Sequence, residues 1–141
     1  MLSIRERIIQ RHHRRCGRAI APIAVMRAPM IPIDRQHSPA LLLVVQGDAV
    51  LSRSNASVER ELTVRLIALA RGEHAFAVVD GLITHTHAAL MGDSNLGGLA
   101  LGIHEVETDW DSDDADGGVV AAPASYVISY RTLAVDLTTI G

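Results

Sequence analysis

The sequence predicts an α+β fold, a single domain over residues 1–141 in which two helices pack a mostly antiparallel or mixed sheet of about four to five strands. Three observations predict it. VERELTVRLIALA (58–70) alternates apolar and polar residues with a period of two, and residues 74–91 then switch to helical spacing. Two further alternating runs, LALGIHEVETDW and YVISYRT, flank the acidic stretch DSDDADGG, the pattern of a long C-terminal β-hairpin.

Residues 3–16 read as a helix. Ser3 is placed to cap it, Glu6 follows three residues later at capping-box spacing, Ile4, Ile8 and Ile9 form a short apolar stripe, and Gly17 is the expected stop. So thin a stripe suggests an element at the edge of the domain. Residues 22–33 are apolar but broken by Pro22, Pro29 and Pro32, which confines them to an edge strand or extended arm. DRQHSP is a loop, and ALLLVVQ (40–46) is a continuous apolar run expected as a strand covered on both faces. Gly47 to Ser57 has turn composition.

In 58–70 one face carries Val58, Leu62, Val64, Leu66 and Ala68, and Ile67 and Leu69 make the other face apolar towards the end. The second helix presents Phe76, Val79, Ile83 and Leu90 as a stripe with Leu82 beside it, and Gly92 and Asn95 stop it. Leu99, Leu101 and Ile103 alternate as a strand. At His104 the apolar phase slips by one and passes to Val106 and Trp110, which predicts a bulge or strong twist. Tyr126, Ile128 and Tyr130 share one face of the last strand.

Composition narrows function by exclusion. The chain has four aromatic residues, too few for base-stacking platforms or an aromatic ligand cage. Its formal net charge is −3, which argues against the whole domain coating nucleic acid. All 13 basic residues are arginines, a feature of codon usage rather than of physics, and the charge is unevenly spread. Residues 5–18 hold six arginines against one glutamate, whereas residues 105–116 hold seven acids and no base. The lone Cys16 precludes an internal disulfide or a multi-cysteine metal site. The apolar run AIAPIAVM is short, broken by Pro22 and soon followed by Arg27, unlike an export signal, and no segment approaches the ~20 apolar residues of a membrane span. The expected location is the cytosol, or a particle assembled there.

The chemical motifs weaken on inspection. Asp109, Asp111 and Asp113 alternate like the first ligands of a calcium loop, but Asp114 stands where that loop needs Gly and Val120 where it needs Glu. An EF-hand is excluded; a looser, weak divalent-cation site stays open beside the default, a solvated hairpin tip. His85 and His87 on a helix point roughly 200° apart and cannot share one zinc, so His87 is expected as a packed, hydrogen-bonded histidine. The glycines of NLGGLA follow a helix and precede a strand, the reverse of a phosphate-cradling loop, and make a turn. No catalytic constellation or cofactor site emerges, and no enzyme activity is expected.

HAALMGDSNLGGLALGI, the acidic strand end EVETDWDSDDADGG and the closing YVISYRT resemble the C-terminal half of the phage minor tail protein U family, the tail terminators of long-tailed phages. Upstream, an initial helix, the strand PALLLVVQGDAV and the strand VERELTVRLIALARG fall in the family's order, so the resemblance spans nearly the whole chain. The basic first helix and the apolar Pro-rich arm depart from the family's pattern. The resemblance implies a ring, typically hexameric, that caps the tail tube in the virion tail, ends tube growth and joins the head. Its partners would be other copies of itself, the tail tube protein and a head-completion or connector protein, with DNA passing through and no membrane. The charged ends supply candidate interface residues: Arg7, Arg11, Arg14 and Arg15 on one side, and Glu105, Glu107, Asp109, Asp111, Asp113 and Asp114 on the other. The alternatives are another head–tail connector or neck protein, and a small nucleic-acid-binding module using the basic helix.

Overall fold

A computed structural model describes residues 1–27, 38–113 and 118–141, with the side chains of Ser112 and Asp113 outside the description. Helix α1 spans Ile4–Ile20, capped by the Ser3 hydroxyl, which accepts from the Glu6 amide at 3.1 Å. The capping box is half made, because the Glu6 carboxylate turns instead to Arg27 and Gln10. The helix runs through Gly17 and ends before Pro22. A mid-helix glycine costs roughly 0.5–1 kcal/mol, and burial of Ile20 one turn later offsets it. The stripe is broader than the sequence suggests: Ile4, Ile8, Ile9, His12, Cys16 and Ile20 are all buried.

Strands β1 (Ala24–Arg27), β2 (Ala40–Ser54), β3 (Ser57–Arg71), β4 (Gly102–Thr108), β5 (Asp111–Asp113) and β6 (Val119–Leu133) form one sheet. Its order is β1-β2-β3-β6-β4, with β5 also on β6; β1 runs parallel to β2 and the other pairings are antiparallel. The fold is α+β, as expected, with one strand more than the upper estimate. Of the Pro-rich arm 22–33, residues 24–27 form edge strand β1, while residues 28–33 and most of DRQHSP lie outside the described residues.

The stretch 47–57 is not a loop. β2 continues to Ser54 and turns tightly into β3 through Asn55, whose φ of 56° suits the left-handed conformation that Asn tolerates. Two bulges interrupt β2, one at Gln46 and one at Leu51. The first shifts the side-chain phase and brings Asp48 opposite Leu62, on the core face of the sheet.

That face holds the core. Leu41, Leu43, Leu62, Val64, Leu66, Ala68, Ala124, Tyr126 and Ile128 meet the isoleucines of α1 and one stripe of helix α2 (Ala75–Met91). Each fully buried large aliphatic contributes roughly 1.5–3 kcal/mol. The opposite face carries Leu42, Val44, Ile67 and Leu69, all half-buried, and no described helix lies on it. The expectation of cover on both faces of β2 is therefore corrected among the described residues. The α2 stripe is Ala75, Val79, Leu82, Thr86 and Leu90; Phe76, expected in it, is exposed. Residues 96–98 form a short 3₁₀ turn, and the strand expected from Leu99 starts at Gly102. The expected phase slip is real. Val106 bulges between Glu105 and Glu107, but it and Trp110 face solvent and do not extend the core.

Candidate functional site

The candidate residues fall into two surfaces, one on the outward face of α1 and one at the β4 edge of the sheet. Helix α1 lies by the β1 edge, tied to it by His13 Nε2, which donates to the Val25 carbonyl at 3.0 Å, and by the bidentate ion pair of Arg27 with Glu6. The Arg27 guanidinium holds the Glu6 carboxyl below the usual glutamate range. Residues 105–111 lie at the other edge, in β4 and the turn that follows it.

On α1, Arg7, Arg11, Arg14 and Arg18 are spaced by four, three and four residues. At 100° per residue they fall within roughly 60° of one another, a single arginine stripe about 16 Å long. Two of the arginines near this row are committed to the fold. Arg15 donates through Nε and Nη2 to the Ala89 carbonyl at 3.0 and 2.7 Å, supplying donors to the unpaired carbonyl end of α2. Arg11 donates to Asp93 at 3.3 Å, and Arg15 lies 3.6 Å from the same carboxylate. Gly97 explains how Arg11 fits: a Cβ there would come within 3.0 Å of both guanidinium nitrogens, and its φ of +66° already favours glycine. Arg7, Arg14 and Arg18 are exposed and have no partner among the described residues. Arg11, Arg14, Arg15 and Arg18 line a polar hollow of about 220 Å³, and among the described residues Asp93 is the one carboxylate bonded to them.

At the other edge Glu105, Glu107, Asp109 and Asp111 are all exposed. Among the described residues no three His, Cys, Asp or Glu groups gather closely enough to hold a metal ion. The side chain of Asp113 and all of Asp114 lie outside the described residues. Among the described residues Glu105 alone of these has a basic neighbour, His87, at 3.7 Å. His87 is hydrogen-bonded as expected, its Nδ1 lying 2.8 Å from the Tyr126 hydroxyl, and His85 Nδ1 donates instead to the Gly81 carbonyl at 2.7 Å. Burial, then the nearby Glu105 and Cys16, push the Tyr126 phenol up to about 12.

Two features escaped the sequence reading. Phe76 and Trp110 stack on the surface, ring centroids 6.3 Å apart and planes inclined by 29°, with 60% and 48% of their areas exposed. Counting Ala75 and Thr86 as core positions would have moved the α2 stripe off Phe76. The second is a polar cluster under the start of α1. Asp48 Oδ2 accepts from Arg5 at 3.1 Å and from the Tyr130 hydroxyl, and burial with that bond raises the Tyr130 phenol. Nothing in the composition of 47–57 announces it, because the bulge at Gln46 decides which face Asp48 takes.

The inner face of α1 is chemically quiet. Burial drives the Cys16 thiol up to about 12, so it stays protonated and is no nucleophile. His12 is fully buried with neither ring nitrogen hydrogen-bonded, and burial lowers it to about 4. A polar hollow of about 480 Å³ at the β2–β3 turn, lined by Ser52, Asn55, Glu59 and Arg131 among others, contains none of the candidate residues.

No protein-family model matches the chain, and comparison with curated proteins finds no similar sequence. Solved structures do match in fold. A chain described as part of the virion of a native gene transfer agent particle is similar with a TM-score of 0.55 and 8% identity, over 86% of this chain and 90% of that chain. At such identity the likeness is one of fold.

Proposed function

We propose that this protein is a structural subunit of a phage-type particle. It forms a ring on the end of a tail tube, stops tube growth and offers the surface that joins the head, without catalysis. The observation that carries this reading is the fold shared, over nearly the full length of both chains, with a chain of a gene transfer agent virion. The resemblance of residues 87–132 to tail terminators supports the position on the tail.

Charge supports the ring. Ring closure needs a heterologous contact, one patch on a subunit meeting a different patch on its neighbour. A basic helix face and an acidic sheet edge on one subunit are such a pair. Charge across that contact sets partner choice and register more than affinity. The half-buried sheet face bearing Leu42, Val44, Ile67 and Leu69 is then available for the tube or the head connector. Acidic side chains near a lumen would let DNA slide through rather than adhere.

Light scattering combined with negative-stain imaging, over a range of concentrations and with purified tail tubes added, tests the reading. Rings of about six copies, or discs on tube ends, are expected. A strict monomer that leaves tube ends bare would refute it.

A further inference from the structure

We propose that the stacked Phe76–Trp110 pair and its acidic rim form the seat for the arginine stripe of α1 from a second copy of this chain. The inference rests on the ring reading and names its central contact.

The chain has four aromatic residues. Tyr126 and Tyr130 are buried in the core, whereas Phe76 and Trp110 are stacked on one another in solvent. Two elements are needed to bring them together, the first turn of α2 and the segment between β4 and β5. Val106, pushed out of register by the β4 bulge, adds a third exposed apolar side chain at this edge. An apolar centre ringed by polar groups is the anatomy of a contact hot spot, and Trp is among the residues most enriched there.

The rim chooses the occupant. Glu107, Asp109 and Asp111 alternate about Trp110 in the sequence, are exposed, and have no basic partner among the described residues. Phosphate would be repelled, which sets nucleic acid aside at this edge. A guanidinium satisfies both parts of the surface, because it stacks on an indole face and pairs with carboxylates at its rim. The chain carries its own supply: Arg7, Arg14 and Arg18 lie on one helix face, exposed and without described partners. Within one protomer no described bond brings stripe and seat together. Two protomers can bring them together, head to tail, and that contact repeats until it closes.

Trp110 is the sole tryptophan and so reports on its own burial. The full-length protein is followed by light scattering and by acrylamide quenching of Trp110 emission as concentration rises. As oligomers form, emission should move to shorter wavelength and quenching should fall several-fold. W110A should raise the concentration for half-assembly roughly tenfold or more. The pair Arg14→Glu and Arg18→Glu should do the same, and adding Glu107→Arg and Asp109→Arg to it should restore assembly; thermal melts confirm that each variant is folded. Rings in which Trp110 quenches as freely as in the monomer, or which W110A leaves intact, would overturn this contact while leaving the ring standing. Recovery by the four-fold charge swap excludes a different basic protein as the occupant. Absence of any oligomer at all concentrations, with tail-tube ends also left bare, overturns both readings.

Discussion

His12 should make this protein sensitive to mild acid. Its ring is fully buried on the inner face of α1, and neither nitrogen finds a hydrogen bond. Burial first, and the positive Arg15 second, lower it from an ordinary value of 6.5 to about 4, with Asp93 opposing. In the unfolded chain the ring takes up a proton as pH falls through about 6.5, while in the folded protein it stays neutral until about 4. The unfolded state thus binds more protons throughout that window, so stability falls as pH drops through it. The linkage relation gives a loss of about 2 kcal/mol between pH 7 and pH 5, and about 3 kcal/mol once pH is below 4. This is a large share of the 5–15 kcal/mol typical of a folded domain.

The assay is urea unfolding of the wild type and of His12→Leu at pH 7 and pH 5. At pH 7 the variant should be more stable by roughly 1–3 kcal/mol, because two unsatisfied polar atoms leave the core and similar volume replaces them. Between pH 7 and 5 the wild type should lose about 2 kcal/mol more than the variant. Glu6, held low by Arg27, loses its contribution only as pH falls below the ordinary glutamate range, and so leaves this window largely clear. Equal acid sensitivity in the two proteins would refute the assignment.

Three further outcomes are expected. Gly97→Ala should destabilise by about 1–2 kcal/mol in thermal melts, since the left-handed backbone strains any Cβ and Arg11 blocks it; Gly81→Ala, in a helix with open space at its Cβ, should instead gain about 0.5–1 kcal/mol. Tyr130→Phe should cost about 1–3 kcal/mol by urea titration, because it strips a donor from the part-buried carboxylate of Asp48. Cys16, buried and held protonated, should resist a thiol reagent at pH 8 in the folded protein and react at once in denaturant.

Where a segment buries one face on the core with a regular period, its sequence declares it. β3 and the second half of β6 follow from their periodicities, the stop of α2 from Gly92, and the β4 bulge from the phase slip near His104; the first half of β6, from Val119, is not read as strand from the sequence. The outer half of β2 could not be read this way. From Val45 onward almost every side chain is exposed, so Gly47, Ser52 and Ser54 look like a turn although backbone pairing with β3 holds them in a strand. Asp48 was hidden for the same reason, because one inserted residue upstream reverses its face. Gly17 misled in the opposite sense: a local stop signal yields when a buried residue such as Ile20 lies one turn beyond it. The candidate surfaces were visible as charge runs. Their organisation into a stripe, a rim and an aromatic centre depends on contacts between distant segments.

The arginines themselves separate scaffold from surface. Arg15 and Arg14 are adjacent on one helix and identical in chemistry, yet their side chains meet different surroundings. Arg15 lies 2.7 Å from the Ala89 carbonyl and reaches Asp93, joining α1 to the end of α2. Arg14 is exposed and without a described partner. Arg15→Ala should therefore cost about 1.5–3 kcal/mol of stability, the range for charge-assisted hydrogen bonds, whereas Arg14→Ala should stay within about 0.5 kcal/mol, as for an ordinary surface change. Assembly should rank them the other way when each is compared at equal folded fraction. Urea titration and light scattering on the two variants decide it, and a stability loss at Arg14 equal to that at Arg15 would show that the exposed stripe is scaffold after all. On the ring reading, the arginines left without a described partner are the ones that meet a neighbouring subunit.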